Sequence, residues 1–392
     1  MIDAIWGLLV IYFYFKVTFN TKTKIRISKN SKILLTISII TIISLTLANI
    51  SQNRIVLFSD FLESYRYFYY FLVLNAGFQL NWTKDTLERY LISPIIVAVI
   101  ISGAISILAA LSPLLAKYIS KIYLLKSTYG LPELQSISGP FRIRISGTFG
   151  NPNHYGVALN IVLPFLFYRA KLKTENLEKA IYYLLILFNL ILIISTGSRT
   201  AMVGAIIQLP FLSMINYKGS RSLSISYSKL ILVILVFSVL FKFTYDIFSR
   251  VNVTVNQIMD IGLLGVDSLR IKFEWSMHLL EKVLSEAPFF GFGPSEQYGS
   301  LFGDNQISAT LYRFGLVGIL LYLLFWFNLL YILLKNSYFI QYINIYTFIM
   351  ICVFMLFGLT GKFFDATQIT TFLFLIVGVI LQINSQKKEF QS

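Results

Sequence analysis

Runs of apolar residues long enough to cross a bilayer recur along this chain, and no other feature restricts its fold as strongly. A spanning helix needs about 20 such residues. The runs fall near 3–19, 33–50, 62–80, 91–116, 153–169, 181–196, 200–215, 229–247, 311–334, 342–360 and 368–384. Of the 392 residues, 56% are hydrophobic and 13% charged. A soluble domain carries about 25% charged residues, so this chain cannot cover itself with a water-compatible surface. The expectation is an all-α polytopic membrane protein of about eleven transmembrane helices, with 1–392 forming a single integral membrane domain. The opening MIDAIWGLLVIYFYF lacks a basic leader and a small-residue cleavage site, and reads as a first span rather than a signal peptide. The third run is the weakest, because Glu63 and Arg66 stand at its start.

The net charge of +15 would suggest nucleic acid in a soluble protein. Here most Lys and Arg lie in short loops between apolar runs, which is the positive-inside pattern and an attraction to anionic lipid. The segments NTKTKIRISKNSK, NWTKDTLER, RAKLKTENLEK and NYKGSRSLSISYSK, together with Lys387 and Lys388, all fall on one side. That side is expected to be cytoplasmic, with the N-terminus outside. Two long loops, 117–152 and 248–310, then face outward, where function tends to concentrate. Within the second, DSLRIKFEWSMHLLEKVLSEAP reads as an amphipathic helix capped by Asp267 or Ser268 and ended before Pro288. The one cysteine, Cys352, allows no disulfide framework, and His154 and His278 are too far apart in sequence to suggest zinc. No GK[ST] phosphate loop is present, which argues against the usual way of handling ATP.

Four outward clusters carry possible chemistry. In FRIRISGTFGNPNHYGVALN, Arg142 and Arg144 share one side of an extended segment. A turn at Gly147, Gly150, Asn151, Pro152 and Asn153 follows, whose backbone N–H groups can face an anion at a helix N-terminus. The same residues also suit a plain re-entry turn with arginines on lipid phosphates. In STGSRTAMVG, Arg199 lies between two apolar spans, where a guanidinium costs roughly 2.5–3.5 kcal/mol and normally faces a partner or a polar cavity. Snorkelling to the interface is the simpler account, while Ser195, Gly197 and Ser198 suggest close helix packing around a site. Arg270 in the amphipathic helix stands four residues before Glu274, which is enough for a surface ion pair that His278 could join. Last, GFGPSEQYGSLFGDNQISATLYRFGLVGILLYLLFW brings Asp304 and Asn305 to the start of a span, with Arg313 deeper. Asp304 is an obvious helix cap, yet a carboxylate, an amide and an arginine together exceed what capping needs. Tyr298, Phe302 and Tyr312 offer flat faces for sugars, or an ordinary interfacial belt.

In this order the four clusters resemble the O-antigen ligase and Wzy-type polysaccharide polymerase superfamily. The residues that carry the resemblance are RISGTFGNPNHYG, STGSRTA, SLRIKFEW followed by PFFGFGPSEQYG, and DNQISATLYRFGLVGILLYL, over roughly 140 to 330. The resemblance implies a glycosyltransferase in the bacterial cytoplasmic membrane that uses undecaprenyl-pyrophosphate-linked oligosaccharide as donor and acceptor. It implies action on the outer face, with no cofactor and no metal, beside a flippase and a chain-length regulator. By motif match, Arg142 or Arg144, Arg199 and Arg270 would grip the pyrophosphate. Asn151, Asn153, His154, Tyr298 and Arg313 would line the substrate, and Asp304 and Asn305 would serve the acceptor. The family often has His-Asn where this chain has Asp304-Asn305, a departure that favours polymerases over ligases.

Chemistry agrees with these expectations. A pyrophosphate leaving group needs its growing negative charge stabilised, which several arginines can do. A sugar hydroxyl gains from a base, typically 10²–10⁴-fold, but a carboxylate at a helix N-terminus is a weak one. Asp304 therefore either accepts the proton or only orients the acceptor. The alternatives are a ligase or a protein O-glycosylating transferase of the same superfamily and, in another class, a lipid-linked oligosaccharide flippase. The topology has a direct test in a Cys352→Ser background. A cysteine at Ser300 should react with an impermeant thiol reagent in intact cells and one at Lys218 only after lysis; the reverse pattern would overturn the outer-face assignment.

Overall fold

The computed structural model describes residues 12, 27–52, 58–80, 82–112, 145, 147–149, 151–215, 267–294, 305–335 and 341–389, and no strand occurs among them. The helices are α1 (Lys29–Gln52), α2 (Phe58–Gln79), α3 (Lys84–Leu87), α4 (Ser93–Leu111), α5 (Pro152–Leu172), α6 (Asn176–Ser195), α7 (Arg199–Met214), α8 (Asp267–Glu286), α9 (Gln306–Lys335), α10 (Gln341–Gly358) and α11 (Thr367–Glu389). A π-helical turn, Glu88–Ile92, lies between α3 and α4, and 3-10 turns form at Gly147–Phe149 and Phe363–Asp365. The expected span at 229–247 lies outside the described residues, as does 3–19 apart from residue 12, and most of the first long loop.

Among the described residues five helices are long and apolar enough to cross a membrane, at Lys29–Ala48, Lys84–Leu108, Asn176–Ser195, Gln306–Lys335 and Thr367–Gln386. Arg199–Met214 and Ile343–Gly358 are shorter apolar helices. Large apolar side chains stand exposed along these elements at helical spacing. On α6 they are Leu177, Ile181, Leu184 and Ile191, and on α9 Leu316, Leu320, Leu324, Phe327 and Tyr331. Water would penalise such stripes, whereas lipid covers them, so the chain reads as a membrane protein. By contrast α5 is buried almost throughout from Tyr155 to Ala170, and α2 buries Asp60, Glu63, Ser64 and Asn75. These two helices form where spans are expected, but they are not among the five.

The chain divides into two compact units. One comprises Met1–Glu88, Asp267–Ile345 and Gly358–Ser392. Here α2 and α11 meet at glycines: a Cβ on Gly77 would stand 2.7 Å from the Leu375 carbonyl, and one on Gly378 2.2 Å from that of Leu74. Small residues at a helix crossing let backbones approach and gain dispersion, the main attraction left when lipid replaces water. Around this crossing Tyr67, Tyr70, Phe314, Tyr322, Trp326, Phe364 and Phe374 pack largely edge to face, with ring centroids 5.2 Å apart for Tyr67–Phe314 and for Tyr70–Phe364. The amphipathic α8 spans Asp267–Glu286, with Pro288 in the turn beyond. It lays Leu279 and Val283 against Phe292, Ala309, Leu311 and Tyr312.

Helix α9 begins at Gln306, earlier than its apolar run, and is broken at Gly315 (φ 63°, ψ −158°). In an unbroken helix the carbonyls of Tyr312 and Arg313 would accept from Leu316 and Val317. Instead they accept from the N–H groups of Phe292 (2.7 Å) and Gly293 (3.1 Å). The N–H groups of Leu316 and Val317 donate to the carbonyls of Pro288 (2.9 Å) and Phe289 (3.2 Å). The PFFGFG turn is thus wedged into the break, and it supplies partners for all four of these backbone groups. Ser44 of α1 adds its hydroxyl, 2.6 Å from the Arg313 carbonyl.

The second unit comprises Arg89–Val266 and Tyr346–Phe357. Helices α5 and α7 run parallel in it. Gly156 abuts Ala201, the Asn160 side chain bonds the Ala201 carbonyl and Gln208 (3.0 and 2.9 Å), and Lys171 donates to the Leu212 carbonyl (2.9 Å) and to that of Ile215. Lys171 therefore caps the C-terminal end of α7, where a cation suits both the free carbonyls and the dipole. Arg169 donates to Ser93 (2.7 Å). Two of the basic residues read from sequence as an inner belt thus also tie helices together.

Only glycine fits the break in α9, since a Cβ on Gly315 would stand 2.5 Å from the Phe289 carbonyl group at a positive φ. Gly315→Ala should therefore cost at least about 2 kcal/mol, read as a lower unfolding midpoint in detergent. Gly358→Ala, whose Cβ would meet nothing nearer than 3.5 Å, should show no measurable loss. Equal midpoints for the two variants would refute the wedge.

Candidate functional site

In the second unit the structure brings two of the sequence clusters together. The Ile145 N–H donates to the Ser195 carbonyl (3.1 Å), which ties the segment before α5 to the turn before α7. Gly147 turns there with φ 57°, and a Cβ on it would stand 2.7 Å from both the Ser102 hydroxyl and the Tyr155 ring. Phe149 stacks on Tyr155 at 5.7 Å. Asn151 caps α5, its side-chain oxygen accepting from the Asn153 N–H at 2.8 Å, with Pro152 in the first turn. Ser198 caps α7 by accepting from the Ala201 N–H at 3.3 Å, after Gly197 turns the chain with φ 59°.

Because α5 and α7 are parallel and start beside each other, their positive ends point the same way. Each end carries about half a positive charge and several N–H groups with no helical partner. Arg199 is the first residue of α7, with its side chain exposed; Asn153 is exposed and His154 partly buried at the start of α5. The small residues Thr196 and Ser198 are packed away beneath. Close packing at this turn is thus present, while Arg199 itself stands outside it. Arg142 and Arg144 lie outside the described residues.

The other two clusters meet in the first unit. Asn305 caps α9: its side-chain oxygen accepts from the Ser308 N–H (2.7 Å) and its amide donates to Ser276 of α8 (2.8 Å). The Ser308 and Ser276 hydroxyls are also 2.8 Å apart. The cap is therefore Asn305, where the sequence pointed to Asp304; α9 starts one residue later than that reading required. Asp304 and Tyr298 lie outside the described residues. Arg270 is on α8, and Glu274 and His278 of the same helix are exposed.

Arg313 is not open to a substrate. It is 6% exposed, and its Nη1 donates to Asp365 (2.8 Å) and stands 3.4 Å from Glu63. Arg66 completes a square, 2.7 Å from Glu63 and 3.5 Å from Asp365, and Gln306 donates to Asp365 at 3.4 Å. Two arginines and two carboxylates cancel in charge, which is how ionisable groups survive in such surroundings. Burial opposes the charge on Asp365, but Arg313 and Arg66, with hydrogen bonds from Arg313 and Gln306, hold its carboxyl below the usual carboxylate value. Sequence reasoning found Arg313, noted Glu63 and Arg66 only as weakening a span, and missed Asp365. The available signal was that Glu63, Arg66 and Arg313, lying in apolar runs, require partners; Asp365, between two runs, carried no such signal.

Among the described residues no group of His, Cys, Asp and Glu is placed to hold a metal ion. No protein-family model and no curated protein matches the chain.

A carboxyl with a lowered folded pKa stabilises the fold above its unfolded value, and that contribution is lost as pH falls through the folded one. Asp365→Asn should thus cost about 3 kcal/mol near neutral pH, since it leaves an unbalanced buried guanidinium. The gap between wild-type and variant melting midpoints should narrow as pH is lowered through about 4. A gap that is constant from pH 7 to 3 would show that the Asp365 charge does not matter.

Proposed function

We propose that this chain is a membrane glycosyltransferase that polymerises undecaprenyl-pyrophosphate-linked oligosaccharides into surface polysaccharide on the outer face of the bacterial cytoplasmic membrane. The observation that carries this reading is the pair of parallel helices α5 and α7, which begin together at the two motif turns with Arg199 exposed at one of them. Coinciding helix N-termini with an arginine suit a diphosphate. Short motifs from 140 to 330 in the order of the polymerase and ligase superfamily support the same reading.

In the reaction, a hydroxyl oxygen of one saccharide attacks the anomeric carbon of the lipid-linked one. A glycosidic C–O bond forms, the bond from the anomeric carbon to the pyrophosphate oxygen breaks, and undecaprenyl pyrophosphate leaves with the electron pair. Arg199 and Arg270, with Arg142 or Arg144, stabilise that leaving charge. The hydroxyl proton passes to Asp304 or to water, and Asn305, already engaged as a cap, holds the start of α9. Tyr298 and His154 serve the saccharides. A ligase or a protein O-glycosylating transferase would use the same chemistry with another acceptor.

A second reading has its own support. The buried square of Glu63, Arg66, Arg313 and Asp365 and the break in α9 are features that transporters also use, which suits a lipid-linked oligosaccharide flippase. One experiment separates the two. In liposomes holding undecaprenyl-pyrophosphate-linked repeat units, without nucleotide and with EDTA, the purified protein should make longer lipid-linked chains. Arg199→Lys should lower that rate at least about tenfold, because an ammonium lacks the planar fork. Substrate that crosses the bilayer but never lengthens would overturn the polymerase and favour the flippase.

A further inference from the structure

The segment of α9 before its break, 306–314, cannot take its direction from the rest of the helix. At Gly315 the backbone leaves helical geometry, and the carbonyls that would continue the ladder are occupied by the PFFGFG turn. Its orientation must come from side contacts. At its C-terminal end these are the wedge and Ser44. At its N-terminal end Ser276 of α8 holds Asn305 and Ser308. Among the described residues, one side chain bonds both ends of the segment. Asp365 accepts from Gln306 in the first turn through Oδ1 (3.4 Å) and from Arg313 through Oδ2 (2.8 Å). These positions are seven apart and so lie on one face of the segment.

Asp365 is itself firmly placed. It ends the 3-10 turn Phe363–Asp365, whose Phe364 carbonyl accepts from the Tyr70 hydroxyl (2.6 Å) and the Thr370 hydroxyl (3.1 Å). The ring of Phe364 is packed among Tyr67, Tyr70, Tyr322, Trp326 and Phe374. A rigid post therefore holds a short helix by both ends of one face. Glu63 and Arg66 balance the charge, so that the bonds from Asp365 can be spent on direction.

We propose that Asp365 is a positioning residue that sets the orientation of 306–314, and through it the place of the Asn305 cap. This rests on the function proposed above for its catalytic consequence, though not for the geometry itself. It acts through the segment and touches no substrate.

Two readouts test it, one of them independent of activity. In a Cys352→Ser background, cysteines at Ser276 and Ser308 replace hydroxyls 2.8 Å apart and should form a disulfide readily under mild oxidation. Adding Asp365→Asn should slow that disulfide at least fivefold, and Asp365→Glu should recover part of the rate. In the chain-lengthening assay, without the added cysteines, Asp365→Asn should lower kcat at least tenfold with KM within twofold. Should Asp365→Asn fail to accumulate, Gln306→Met decides. It removes the grip on the first turn while leaving all four charges paired, and should slow the disulfide at least threefold. An unchanged disulfide rate overturns the proposal, even where kcat falls, because Asp365 would then act otherwise than by orientation. If wild-type protein lengthens no chains, the polymerase reading fails while the disulfide rates still decide the role of Asp365.

Discussion

Breaking a helix inside a membrane protein strands N–H and C=O groups where no water can reach them, at a cost of several kcal/mol each. The break at Gly315 is tolerated because the PFFGFG turn supplies partners for the carbonyls of Tyr312 and Arg313 and for the N–H groups of Leu316 and Val317. The exchange is reciprocal, so neither segment could keep its shape without the other. Much of the first unit depends on it. It explains why glycines stand at 291 and 315, where a Cβ would strike the opposing backbone within 2.3 and 2.5 Å. It also explains how a loop beyond α8 becomes part of the packing around α9 instead of lying outside it.

With α9 interrupted, its first nine residues need their own supports, and the buried charges acquire a purpose. A neutral square of Glu63, Arg66, Arg313 and Asp365 contributes little net stability compared with an apolar core. Its value is directional: a guanidinium donates through a planar fork whose N–H groups point at defined angles. Cost and use therefore fall on different properties. The square is expensive to bury and hard to remove piecemeal, yet it orients a segment that hydrophobic contacts alone would leave free to turn.

The second unit solves a different problem. Parallel neighbours such as α5 and α7 bring like dipole ends together, which is unfavourable unless something negative or polar faces them. Asn151 and Ser198 satisfy some of the free N–H groups, and Lys171 answers the opposite end of α7. What remains at the shared N-terminal end is a positive field reinforced by Arg199. An anionic group would relieve it, and this physical reason underlies the proposed function.

Sequence by itself determined the class of the protein and most of its helices. Apolar runs set α1, α2, α4 to α7 and α9 to α11 to within several residues, and the polar-apolar period of 267–286 set α8. It also located the turns at Gly147–Asn153 and Ser195–Arg199, because glycine, asparagine and proline declare their conformations locally. The break at Gly315 was hidden, since a glycine in an apolar run looks like any other small residue at a helix crossing. The square around Arg313 was hidden too: Glu63, Arg66 and Asp365 lie far away in sequence, and hydropathy treats Glu63 and Arg66 as defects in their run and Asp365 as part of a connection between two others. Even the cap at Asn305 needed the structure, because Asp304 and Asn305 cap equally well and only the bond from Asn305 to Ser276 chooses between them. Local propensity acts over a turn or two of chain. Which buried polar groups satisfy one another is settled only when distant segments pack, and there the tertiary structure decided.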